Sequence, residues 1–121
     1  MRVEIHALPR VELAWVGSAR EKAEYMRAHE ELRIEVVTEL PPVRKPFERA
    51  HLSIVAYVGQ GEHGYYRPTC AHTLQVALDP VYRALIEREY IKDMKAVPLI
   101  TTGVITGSEF EGLQITIEEL P

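Results

Sequence analysis

Residues 50–58 alternate strictly: Ala50, Leu52, Ile54, Ala56 and Val58 fall on one side, and His51, Ser53, Val55 and Tyr57 on the other. A period of two marks a strand with one face against a core. Residues 3–7 alternate in the same way up to Pro9, which predicts another strand. Residues 11–16 either extend it or form a short strand of their own.

Between these strands the period lengthens. Tyr25, Ala28, Leu32 and Val36 recur at three- and four-residue steps, with Ala23, Met26, Ile34 and Val37 widening the stripe. Ser18 precedes the run, and Glu21 stands three residues later, the spacing of a capping box. Pro41-Pro42 stops the helix, because proline lacks the amide hydrogen and restricts the residue before it. The β-branched stretch after Arg33 also allows an earlier end near Leu32.

A loop with Arg44 and Lys45 leads into the strand at 50–58, and three glycines (Gly59, Gly61, Gly64) follow it. Leu74, Leu78, Val81 and Leu85 restore helical spacing. Asp79-Pro80 interrupts this helix. Either the proline kinks it, or Asp79 caps a second helix with Pro80 at its first position. The helix should end near Glu89. Beyond it a strand within 96–106, a turn over 107–112 and a strand through Leu113, Ile115 and Ile117 read as a hairpin. The expected fold is a single α+β domain over residues 1–121, with two helices on one face of a small mixed sheet.

Charge adds one constraint. The chain of 121 residues carries a net charge of −4, yet residues 1–97 hold 14 acids and 14 bases. The imbalance is Glu109, Glu111, Glu118 and Glu119 in the last segment. That excludes a uniformly basic nucleic-acid binder but leaves room for a local basic surface. No apolar run approaches the roughly 20 residues of a membrane span. The first residues lack the apolar stretch of a secretory signal. The one cysteine, Cys70, permits no internal disulfide, so a cytoplasmic chain is expected.

The order of elements, together with the text after the central strand, resembles the RusA family of Holliday-junction resolvases. The residues that carry the resemblance are Arg67-Pro68, then the run from Leu74 to Asp79, then Tyr90-Ile91-Lys92-Asp93, then the closing strand from Gly112 to Glu119. The resemblance implies a small homodimeric, magnesium-dependent endonuclease of branched DNA, acting in recombination and repair. The family text at the helix start is roughly R-P-D-x-D-N-L-x-K. Here its two aspartates fall at Cys70 and His72, and its lysine at Val76. A frame shifted by one puts them at Thr69, Ala71 and Gln75. Asp93 alone matches a family carboxylate, and the acid usually beside it is Met94.

Magnesium is a hard cation that needs oxygen ligands, and the chain has two aspartates, Asp79 and Asp93. No glutamate lies between Glu62 and Glu87. Three functional readings follow. The chain is a degenerate member that keeps the fold and junction binding, or an active endonuclease with a site rebuilt from Asp93, Asp79 and His72, or an unrelated interaction or small-ligand domain.

The candidate residues divide by chemistry. Cys70 and His72, with Asp93 as a third donor, suit zinc, since thiolate and imidazole are its usual ligands. Their plain structural role is a buried cysteine and an exposed or capping histidine. His63, between two glycines, is a loop ligand or a solvated side chain. Tyr65, Tyr66 and Arg67 could stack on bases and reach phosphate, or belong to the sheet edge and core. Arg88, Lys92 and Lys95 share a face at helical spacing, though Glu87, Glu89 and Asp93 dilute it. Arg44, Lys45 and Arg49 form another basic cluster, with Glu48 inside it.

Overall fold

The computed structural model describes residues 1–11, 18–59 and 67–121. The short strand considered at 11–16, the glycine loop beyond Gly59, and His63, Tyr65 and Tyr66 lie outside these residues, apart from Val11. The most regular alternation forms the strand β2, Ala50–Gly59, buried at every second residue. It is flanked in sequence by β1 (Arg2–Ile5) and α1 (Ala19–Glu39) before it, and by α2 (Ala71–Gln75), α3 (Asp79–Glu87), β3 (Leu99–Ser108) and β4 (Gly112–Glu119) after it. The result is an α+β fold on a mixed four-stranded sheet of order β1-β4-β2-β3.

The inward residues of β2 and β4 form one cluster with Leu32 and Val36 of α1 and Val81, Ala84 and Leu85 of α3. The two longer helices thus cover one face of the sheet. No buried polar side chain interrupts this cluster among the described residues. The helix α1 begins as its sequence suggests, with the Ser18 hydroxyl accepting from the Glu21 amide at 3.2 Å. It runs on to Glu39 and not merely to Leu32, because Val36 and Leu40 are needed in the core.

Two expectations about the second half are corrected. The last two strands do not form a hairpin. β3 pairs with β2 in parallel and β4 pairs with β2 antiparallel, so β2 lies between them. β2 is buried at every inward position from Ala50 to Val58, which suits the centre of the sheet. Strands on either side of β2 stand ~10 Å apart. Residues 109–111 suffice to cross that gap over the end of β2.

The second correction concerns Asp79. Leu78 is the N-terminal boundary residue of α3, and Asp79 occupies the first turn with Pro80 behind it. The Asp79 carboxylate does not cap the helix; it adds negative charge where the helix dipole favours it, 3.9 Å from Arg83. The helical run is therefore two helices, with Ala77 and Leu78 buried at the break.

Arg33 joins α1 to α3. Its guanidinium bonds to Glu30 on its own helix and to Glu87 on the other. Both carboxylates favour the charged guanidinium, and Arg33 in turn holds the Glu30 carboxyl below its ordinary value.

Gly112 allows β4 to start. Its φ is +154°, and a Cβ there would overlap the backbone carbonyl of Ile5 and come within 2.9 Å of Phe110. Gly103 in β3 has nothing within 4 Å of a Cβ position. Gly112→Ala should therefore lower unfolding stability by about 2–4 kcal/mol. Gly103→Ala should change it by less than about 1 kcal/mol. Urea midpoints of the two variants against the parent check this contrast.

Candidate functional site

The residues singled out by chemistry fall in two neighbourhoods. The first lies at the C-terminal end of β2. Arg67 forms an ion pair with Glu111, which belongs to the 109–111 crossing and lies against Gly59. These two side chains, with His6 and Arg10, line an open groove of about 330 Å³. Pro68 is buried, and α2 begins four residues after Arg67.

At that helix start the Thr73 hydroxyl does most of the bonding. It accepts from the amides of Thr69 at 3.0 Å and Cys70 at 3.1 Å, and donates to the Cys70 carbonyl at 2.9 Å. Cys70 is exposed, where a buried thiol was expected, because it stands at the helix boundary and not on its inner face. The Thr73 amide, and after it the Thr73 hydroxyl 3.8 Å from the sulfur, hold the Cys70 thiol below its ordinary value. The hydroxyl turns its one proton from the Cys70 carbonyl to the sulfur when the thiolate forms. His72 is exposed one position inside α2. Side chains two residues apart at a helix start do not face each other.

The second neighbourhood lies at the N-terminal end of β2. Phe47, Ile86, Ile91, Lys92, Asp93 and Lys95 line an open groove of about 560 Å³, with Glu48 and Glu89 among its acidic residues. The Phe47 amide donates to the Tyr90 carbonyl at 2.8 Å, and this bond ties the segment before β2 to the end of α3. Asp93 caps a short 3₁₀ turn, Met94–Ala96, accepting from the Lys95 amide at 2.8 Å.

The basic face expected from Arg88, Lys92 and Lys95 does not form as a helical stripe. The helix α3 ends at Glu87, and Glu89 takes a left-handed backbone with φ of 62°. Arg88 turns inward and donates to the Leu40 carbonyl at the end of α1, at 3.0 Å. Tyr90 makes the neighbouring closure, donating from its hydroxyl to the Pro41 carbonyl. Lys92 and Lys95 lie exposed on the turn beyond.

The helix start supplies a thiol and an imidazole and no carboxylate, which does not fit magnesium. Asp93 already spends one oxygen on the Lys95 amide, among the residues of the other groove. Among the described residues no three His, Cys, Asp or Glu side chains are grouped to hold a metal ion. Among the described residues no helix is long and apolar enough to cross a membrane.

Sequence pattern does not show three of the residues at these places, Glu111, Phe47 and Ile86. In the sequence Glu111 is one of four acids in the last segment, and its ion pair with Arg67 depends on the strand crossing. Phe47 precedes β2 and Ile86 lies on α3, and only the fold brings them to one groove with Lys92. A scan against known protein families finds no match to the chain, and a search of curated proteins finds none either.

Two tests follow. The depressed thiol value means that Cys70 becomes thiolate, and reacts, at lower pH than an ordinary cysteine. Thr73→Val should raise the pH of half-maximal iodoacetamide alkylation, and an unchanged profile would show that the hydroxyl contributes nothing. Arg88→Ala should cost about 1–3 kcal/mol of stability by removing a partly buried charged donor, while Lys92→Ala should stay within about 0.5 kcal/mol, both read from urea unfolding.

Proposed function

We propose that this chain is a RusA-like cytoplasmic domain that contacts branched DNA without cutting it. The observation that carries the reading is where the two aspartates stand. Asp93 caps a 3₁₀ turn and Asp79 sits in the first turn of α3 beside Arg83, so both act at the ends of different elements. Metal-dependent phosphodiester cleavage needs a converging set of oxygen ligands. The resembling positions at the helix start are Cys70 and His72, which offer none. A rebuilt active site would require Asp79, Asp93 and His72 to meet, although each is attached to a separate helix start.

Support for DNA contact comes from the N-terminal end of β2. Lys92 and Lys95 rim the groove, and Arg44 and Lys45 immediately precede its Pro46. All four are exposed and form no ion pair among the described residues. Glu48, Glu89 and Asp93 stand among them. Such a mixed surface favours weak binding whose salt dependence reflects the few phosphates it can neutralise. Arg67, bonded to Glu111, would reach phosphate only by exchanging that partner.

The reading is tested by titrating the protein with a four-way DNA junction at two salt concentrations. Binding should weaken with salt, and Arg44→Ala with Lys92→Ala should reduce the log–log slope by about 2. Absence of binding at low salt would leave an unrelated interaction domain as the better description. Nicking of the junction with magnesium or manganese would instead establish an active enzyme.

A further inference from the structure

We propose that the groove at the C-terminal end of β2 binds a small organic carboxylate, with its head group on Arg67 and Arg10 and its apolar part on Ala7 and Leu8. The described lining comes from three parts of the chain. Residues 6–10 follow β1, Arg67 precedes α2, and Glu111 belongs to the crossing into β4. The volume, about 330 Å³, is at the lower end of the roughly 300–1,000 Å³ of small-ligand pockets. Much of the lining is held in place by the fold. Ala7 and Leu8 pack against the core, and Pro9 is buried. In the crossing, the Phe110 amide donates to the Ser108 hydroxyl at 3.2 Å. The Phe110 ring meets His6 edge-on, with ring centroids 5.1 Å apart.

The charges in the groove select an anion. Its described lining carries two guanidiniums, Arg10 and Arg67, and one carboxylate, Glu111. Glu111 shows that a carboxylate fits here, since it is ion-paired with Arg67. The two side chains of that pair are 36% and 39% exposed. Solvent screens such a pair and leaves it weak. An incoming carboxylate can therefore take the place of Glu111 on Arg67, while the displaced side chain turns to water. Arg10 favours the exchange. Its side chain is only 17% exposed, and its ion pair with Glu24 is 3.7 Å long. Glu24 also serves Arg20, at 3.4 Å. A ligand carboxylate gains the planar, weakly hydrated fork of Arg10 in addition to the one that holds Glu111.

The apolar side of the groove decides which anion. Ala7, Leu8 and Pro9 carry no polar side-chain atom, so this stretch favours hydrocarbon over a further charged group. A nucleic-acid strand would bring several phosphates past Glu111, whose like charge opposes them. The groove lies at the other end of β2 from Lys92 and Lys95, and its ligand stands or falls independently of DNA contact.

Titration of the full chain with benzoate, followed by backbone amide NMR shifts, tests the proposal. The expected result is saturable binding with a dissociation constant on the order of 1 mM, and shifts centred on residues 6–10, Arg67 and Glu111. Acetate lacks the apolar part and should bind about 10-fold more weakly. Glu111→Gln keeps the side-chain shape and removes the resident carboxylate, so it should tighten benzoate by about 3-fold or more. Arg67→Gln should weaken benzoate by about 10-fold. Should Arg67→Gln lose its fold, the acetate comparison and Glu111→Gln decide alone. No saturable shift at these residues up to ~50 mM benzoate overturns the proposal. So does an affinity that Glu111→Gln leaves unchanged or lowers. Inorganic phosphate binding as tightly as benzoate would mark the groove as a phosphate contact and overturns it too.

Discussion

β2 is hydrogen-bonded along most of its length to β3 on one side and β4 on the other, and the rest of the domain is arranged around that double pairing. Its inward residues, from Ala50 to Val58, are the floor on which Leu32 and Val36 of α1 and Leu85 of α3 are packed. Because β3 runs parallel to β2, the chain must travel back from one end of β2 to the other before β3 begins. The segment of α2 and α3 makes that return. The two neighbourhoods follow from it. Arg67, at the start of the return, is bonded beside the C-terminal end of β2. Lys92 and Asp93, at its finish, line a groove with Phe47 just before the N-terminal end.

The same geometry shows which parts of the fold were legible in the sequence. The alternation at 50–58 and the capped run from Ser18 depend on neighbours along the chain, and both appear as expected. Strand partnership depends on competition. β4 could have folded back on β3; instead β2 takes a partner on each of its edges. Nothing in residues 96–119 alone encodes that choice. Helix phase failed for a related reason. Arg88 shares helical spacing with Lys92, but the left-handed Glu89 breaks the phase, and the open carbonyl of Leu40 draws Arg88 inward.

Site chemistry was legible by composition more than by position. Two aspartates cannot make a three-aspartate cluster, wherever they lie. Position adds that the two are engaged locally: Asp93 with the Lys95 amide, and Asp79 in the first turn of α3 beside Arg83. Carboxylates at helix starts are favoured by the free amides there. These acids therefore have a structural reason to be retained that does not involve a metal.

The net charge of −4 resolves into separate local terms. Glu111 is neutralised by Arg67. Glu118 and Glu119 lie opposite His51 and Ala50, toward the end of the sheet that also carries Lys92 and Lys95. That end is therefore close to balanced, and a single copy offers DNA few uncompensated cations.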